Sequence, residues 1–498
     1  MIAHFLLLTT SFSSLDPLSI EQHLAYYKLY PETKEGKKAL EHAWKLLGEG
    51  ASLPLQEAVS IPNIDLEPLI ALITRNSKEA PLALSEASQK ELATLTSLLP
   101  TKKQKGAFVW TEEELVAIPS EEIDLARALL IHQFANDPKK KEKILQYETV
   151  LDLMALQIRA RLPTWATAED KIDMISRFIF EEKRYRFPPH SLYAKEIDLY
   201  TFLPSVLDNR EGVCLGVSIL YLCLAQRLNL PLQIITPPGH IYLSYEGDEG
   251  IINIETTARG THMPSEMYLG VNTRLLQKRT MKEVIGLSFI NEASVAWGIG
   301  DHKKTVALYE KALPYLPEDP LLKMFLGLNY LFTGEIKKGK DSLKEIRSLT
   351  LHFSVSKETI PSDFLNGYTD IESIKSVFTH VDETRQSILE KLSALEKVSA
   401  NYPKFRAALL QVAVCHLQLG HLAEALRILE KYHALDPEDA TVEYYLAELY
   451  LERFDIQKAW RHFNLAETLT LARDHKPKAF HPLKLSLLRY SPNPLTLH

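Results

Sequence analysis

Asn209-Arg210-Glu211-Gly212-Val213-Cys214-Leu215-Gly216 opens a run that stays almost wholly apolar through Val217, Ile219, Leu220, Leu222 and Leu224 to Leu228. A helix that is apolar on nearly every face is buried in the centre of a domain, so the run predicts a central helix beginning at Cys214. Three β-rich runs follow at 232–236, 241–245 and 251–254, separated by Pro237-Pro238-Gly239 and by Glu246-Gly247-Asp248-Glu249-Gly250. β-branched and aromatic residues between turn residues predict antiparallel strands. The stretch reads as a helix against a small sheet, an α+β unit in a chain that is otherwise mostly α.

The same stretch carries a thiol, an imidazole and a carboxylate in order: Cys214, His240 and Glu255. A thiol in the first turn of a helix feels the positive end of the dipole, which favours the thiolate. Gly212 lets the chain turn sharply into that helix, and Gly216 permits close approach one turn on. A buried cysteine acting as a small hydrophobe is the other reading of Cys214, and Cys223, in mid-helix, fits that second reading. His240 begins a strand, so His240, Tyr242 and Ser244 share one face. If the hairpin loop is even, as a four-residue 247–250 loop would be, Glu255 falls opposite Tyr242 and diagonal to His240 on that face. A bulge or an odd loop would put Glu255 on the other face. Asp248 and Glu249 lie in the turn, too far along the strand to reach His240. A base to hold the thiolate and a third group to orient the base are what a cysteine nucleophile needs. Asn209 either supplies an amide donor to an oxyanion, beside the Cys214 backbone N–H, or caps the helix. Tyr242 either lines the site or packs. His190 and His262 with His240 have no recognised metal-ligand spacing, so no metal and no cofactor is expected.

Upstream, residues 1–160 show apolar positions at helical spacing over 20–30, 35–47, 66–73, 85–98, 121–134 and 141–161, punctuated by Pro31, Pro54, Pro62, Pro100, Pro119 and Pro138. A helical N-terminal region is expected there. Thr167 caps a further helix that runs to about residue 182, and the α+β core spans 165–285. Downstream the chain repeats. Gly300-Asp301, Ala312 and Pro317 recur as Gly420, Ala425 and Pro437, and Leu446, Ala447, Tyr450, Ala459, Phe463 and Ala466 fit a last unit. The pattern resembles tetratricopeptide repeats, which stack helix pairs into a solenoid around a shared core. The units fall at about 286–319, 320–353, 406–439 and 440–473, the second with Gly339 where the repeat usually has alanine. Residues 354–402 interrupt the array as a helical insert, repeats 3 and 4 fill 403–475, and 476–498 is a tail.

At 498 residues the chain exceeds one ordinary core. Its net charge of −7 argues against a nucleic-acid partner held by bulk electrostatics. The runs Lys102-Lys103-Gln104-Lys105 and Lys139-Lys140-Lys141 read as solvated faces. Three cysteines make no disulfide framework and fit a reducing, cytoplasmic setting. Residues 1–8 are apolar but short and lack a basic flank, a poor signal peptide, and no run reaches the ~20 apolar residues of a membrane helix.

Cysteine on a buried helix, histidine at a strand start and an acidic residue on the next strand resemble the transglutaminase-like superfamily. The local words are similar to its SirB-type branch: Leu203-Pro204-Ser205-Val206-Leu207-Asp208-Asn209-Arg210-Glu211-Gly212, Gln226-Arg227-Leu228-Asn229-Leu230-Pro231 and Pro238-Gly239-His240. The resemblance covers about 165–275, with the repeats at 286–473, and does not reach 1–160. It implies a papain-like α+β core in which Cys214 attacks an amide carbonyl to form a thioester, His240 holds the thiol proton and Glu255 orients His240. Glu255 stands where the superfamily usually has aspartate, one methylene longer. Hydrolysis of the thioester makes a protease or deamidase, and aminolysis makes a transglutaminase. Two readings follow: an enzyme acting on a protein or peptide selected through the repeat groove, or a non-catalytic scaffold whose core is a remnant.

Overall fold

The computed structural model describes residues 12–49, 67–74, 85–97, 99–188, 200–347, 349, 351–382 and 384–492. The apolar residues 1–8 and His190 lie outside the described residues. The chain is mostly α with one small sheet, as the periodicity predicts.

The N-terminal helices are Ile20–Leu29, Lys34–Glu49, Glu67–Thr74, Glu86–Thr96, Glu112–Ala117, Leu125–Gln133 and Lys140–Arg159. Helix Glu112–Ala117, closed by a Thr111–Glu114 capping box, was not expected from periodicity because it is shorter than two turns. These helices are not a separate layer. The last of them runs along the central helix Cys214–Arg227, and a buried ion pair joins the two, Arg227 Nε to Asp152 Oδ1 at 2.7 Å. Lys102, expected on a solvated face, instead reaches in to Asp152 Oδ2 at 2.7 Å. A carboxylate and a guanidinium withdrawn from water need such partners.

Thr167 caps the next helix with Asp170 at its third position, as expected, and helix Ala168–Ser176 continues into a π-helical turn, Arg177–Glu182. The four strands are β1 (Gln233–Thr236), β2 (Tyr242–Gly247), β3 (Gly250–Ile254) and β4 (Gln277–Arg279), in the order β3-β2-β1-β4, all antiparallel. β4 is three residues long and shows no alternation that sequence reading could detect. The hairpin register runs from Gly247 opposite Gly250 to Leu243 opposite Ile254. The loop is therefore the Asp248-Glu249 turn. It is shorter than expected but even, so continuing the register puts Glu255 across from Tyr242.

Helix pairs follow at Met281–Gly298 and His302–Ala312, Pro320–Phe332 and Ile336–Ile346, Arg406–Gln418 and Leu422–Leu435, and Ala440–Glu452 and Ile456–Leu471. Asp301, Asp319, Asp439 and Asp455 cap four of these helices through their side chains. In the second pair a Cβ on Gly339 would come within 2.5 Å of Leu331 Cδ2, so the missing alanine reflects closer helix contact. The insert holds Ile360–Leu365, Ile371–Val377 and Arg385–Asn401. The expected tail contains helix Phe480–Leu488, whose Phe480, Leu483 and Leu487 close the end of the array.

One apolar cluster runs from Ile20 to Tyr330, and a second from Met324 to Leu487. The first takes in the N-terminal helices, the central helix, the sheet and the opening repeat together.

Candidate active site

Cys214 is the first residue of its helix, after Val213. The approach is pinned from two sides. Arg210 turns the chain in the left-handed region at φ 56, Gly212 N–H donates to Arg186 O at 3.1 Å, and Val213 N–H donates to Tyr200 O at 3.1 Å. Gly216 sits under that crossing, where a Cβ would lie 2.1 Å from Tyr200 O. Val213, at the N-cap, brings no side-chain acceptor to the first-turn N–H groups beside the sulfur. Of the two readings of Asn209, the cap is not formed, since Val213 holds the N-cap position. Asn209 is exposed at the end of the preceding helix, Leu203–Asn209, because the Arg210–Gly212 turn separates it from the new helix start.

His240 follows a turn in which its N–H donates to Pro237 O at 3.1 Å and Gly239 takes φ +69. It lies two residues ahead of β2, not in the strand itself. Its Nε2 stands 2.7 Å from Glu255 Oε2. Glu255 is buried, and both oxygens are engaged. Oε1 accepts from the Thr257 N–H at 3.1 Å and hydroxyl at 2.6 Å, and Oε2 also accepts from the Tyr268 hydroxyl at 2.5 Å. Burial alone would raise the Glu255 carboxyl, but hydrogen bonds from His240, Thr257 and Tyr268 pull it down to about 2. Burial alone would lower His240, but the hydrogen bonds and charges of Cys214 and Glu255 raise it to about 9. Nε2 faces Glu255, so Nδ1 is the nitrogen left for the sulfur. The imidazole thus sits between a carboxylate ionised at neutral pH and the Cys214 sulfur, a setting that favours its charged form.

A second contact fixes the depth of the cysteine. Ser218 Oγ meets Thr256 Oγ1 at 3.0 Å, and Thr256 Oγ1 donates to Cys214 O at 3.5 Å. The residue after the carboxylate is thereby tied to the first turn of the helix. Tyr242 is buried, stacks on Tyr268 at 4.8 Å and donates to Ser265 Oγ at 3.0 Å. Tyr268 also stacks on His240 at 5.6 Å, so it holds the imidazole by its ring and the carboxylate by its hydroxyl. Tyr268, Thr257 and Ser265 were not found in the sequence. They lie on short 3-10 turns, Thr256–Ala258 and Ser265–Tyr268, where no periodicity marks a face. His262 accepts from the Asn253 N–H at Nδ1, 3.1 Å, and does not join His240 in a metal-ligand group among the described residues. Cys223 and Cys415 are buried, and burial pushes both thiols up.

A transglutaminase-like superfamily family matches residues 145–283, and a tetratricopeptide repeat family matches residues 406–449. The chain thus carries a transglutaminase-like domain followed by tetratricopeptide repeats, in an α+β, mostly α fold. The matched span takes in much of helix Lys140–Arg159. That helix is the one ion-paired to the central helix. Among solved structures, MamA from Desulfovibrio magneticus RS-1 is 16% identical, over 38% of this chain and 97% of its own, with a TM-score of 0.20. A thermophilic tetratricopeptide protein of Thermus thermophilus is 20% identical, over 41% of this chain and 97% of its own, with a TM-score of 0.20. Curated proteins give no match. Tetratricopeptide arrays present extended surfaces for protein partners, and protein–protein interaction is what these repeats fit. Among the described residues no helix is long and apolar enough to cross a membrane.

Proposed function

We propose that the chain is a cysteine-dependent amide hydrolase or acyltransferase acting on a protein or peptide, with the repeats engaging that partner. The observation that carries the reading is the single chain of contacts from Glu255 Oε2 through the His240 ring toward Cys214. With its proton held by His240, Cys214 Sγ attacks the amide carbonyl as the thiolate, and the carbonyl π pair moves to oxygen. The first-turn N–H groups of the Cys214 helix receive that oxyanion. On collapse the C–N bond breaks, and His240 gives its proton to the departing amine, leaving a thioester. Water or an amine then attacks the thioester, His240 takes the incoming proton, and the thiolate leaves. Glu255 stays ionised throughout and orients the ring. The extra methylene of glutamate does not prevent this contact. Asn209, exposed at the end of the preceding helix, would serve as a second donor to the oxyanion only after moving toward the sulfur.

A thiol-reactive probe at neutral pH tests the reading. Cys214 should label ahead of the buried Cys223 and Cys415, Cys214→Ala should abolish that adduct, and His240→Ala should slow it by about tenfold or more. Native protein that fails to label at Cys214 would overturn the catalytic reading and leave a repeat scaffold carrying an inert core.

A further inference from the structure

Three side chains of the last two repeats meet at a place the catalytic reading does not use. His433 lies in the last turn of Leu422–Leu435, Glu443 in the first turn of Ala440–Glu452, and His462 within Ile456–Leu471. The Glu443 carboxylate is 0% exposed, and each of its oxygens faces an imidazole: His433 Nδ1 at 2.5 Å from Oε1 and His462 Nδ1 at 2.7 Å from Oε2. One ligand atom from each residue lies within 4.8 Å of the other two.

We propose that His433, Glu443 and His462 bind a divalent transition-metal ion of the zinc type, which ties three successive helices together. A carboxylate withdrawn from water needs a compensating positive charge, which a bound cation supplies. Two imidazoles and one carboxylate are a donor set that zinc and its neighbours accept. The rings are also held in place to present that set. His462 stacks on Tyr450 at 5.4 Å and 7°, and the Tyr450 hydroxyl is anchored on Glu430. His433 stands edge-on to His462 at 5.1 Å and 82°. Fixing ligand rings through outer contacts is how metal sites are pre-organised. The His433 side chain is 25% exposed, so the cluster opens to solvent on one side, where an ion enters and a water completes its coordination.

Loading requires little movement. Bonds of about 2.0–2.1 Å in tetrahedral geometry set ligand atoms roughly 3.3–3.4 Å apart, and one ligand atom from each residue already lies within 4.8 Å of the others, so the atoms move by at most roughly 1.5 Å. Side-chain rotation supplies this. A neutral imidazole moves its Nδ1 proton to Nε2, and an imidazolium releases one proton to solvent.

The test uses the untagged full chain carrying Cys214→Ala, which removes the reactive thiol as a competing ligand. After treatment with EDTA, zinc chloride is titrated calorimetrically, and cobalt(II) is followed by visible absorption. One ion per chain is expected, with a cobalt spectrum of low-coordinate type. Glu443→Gln, close in shape, should weaken binding by about 100-fold or more, beyond the ~10–100-fold that loss of an outer contact causes. His433→Asn, at the solvent edge, should do the same, and it serves if circular dichroism shows Glu443→Gln to be misfolded. Absence of stoichiometric binding, or an affinity unchanged in the folded variant, would overturn the proposal.

Discussion

Glu255 has no oxygen to spare, and that governs how the site should respond to pH. Its carboxyl sits at about 2, below the ordinary 4.5, so its contribution to stability is present above 4.5 and is lost as pH falls through about 2. His240 sits at about 9, above the ordinary 6.5, so its contribution is complete below 6.5 and is lost as pH rises through about 9. Both are present in full only between those ordinary values. The stability gap between wild type and Glu255→Gln, measured by urea unfolding, should be widest at pH 4.5–6.5 and shrink toward pH 9. A gap that grows with alkaline pH would contradict the ion pair. Tyr268 is a positioning residue in the same group. Tyr268→Phe should cost about 1.5–3 kcal/mol of unfolding free energy, the worth of a hydrogen bond to a charged group. It should also slow probe labelling at Cys214 without abolishing it. Unchanged unfolding would mean that the hydroxyl contributes nothing to holding the carboxylate.

At the scale of the element, the central helix is positioned by its first two turns. Gly216 has no room for a methyl group, since a Cβ would meet Tyr200 O at 2.1 Å, and that same oxygen accepts the Val213 N–H. Alanine normally favours a helix over glycine by about 1 kcal/mol. Here steric conflict should win, and Gly216→Ala should destabilise the chain by about 1–3 kcal/mol, the usual cost of overpacking. The displaced Tyr200 would draw Val213 with it and shift the sulfur, so labelling should slow as well. Net stabilisation in denaturant would show that the Tyr200 segment yields freely.

At the scale of the whole molecule, the transglutaminase-like domain does not hold its core alone. Glu148 lies within the matched segment, yet its partner Arg127, at 2.5 Å, lies outside, as does Lys102 on Asp152. The Gln226 side chain donates to Ile123 O at 2.8 Å, again across the boundary. A chain cut to residues 145–283 would leave Glu148 buried without its guanidinium, a loss of about 3–5 kcal/mol before any apolar exposure is counted. Such a fragment should show no cooperative thermal transition by circular dichroism, whereas residues 12–347 should retain one. Cooperative melting of the short fragment would show that the shared core is dispensable.

The sequence by itself determined the elements whose signal is local. A run of apolar residues after a glycine turn forms a buried helix wherever it is placed. Thr167 and Asp170 close a capping box from positions three residues apart, and small residues recurring at one period force helices into pairs. Strand alternation makes any even hairpin loop bring Glu255 to the face of His240, and the folded chain, with Gly247 opposite Gly250, adopts such a loop. Tertiary structure decided the rest. Tyr268 and Thr257 join the site from irregular turns, β4 is too short to alternate, and Lys102 looks solvated until Asp152 is placed beside it. Helix Lys140–Arg159 carries the same helical periodicity as its neighbours, and its long-range contacts, the ion pair with Arg227 among them, show which core it serves. Periodicity reports which face of an element is buried, but not against what, and contacts between residues far apart in the chain supply that second fact.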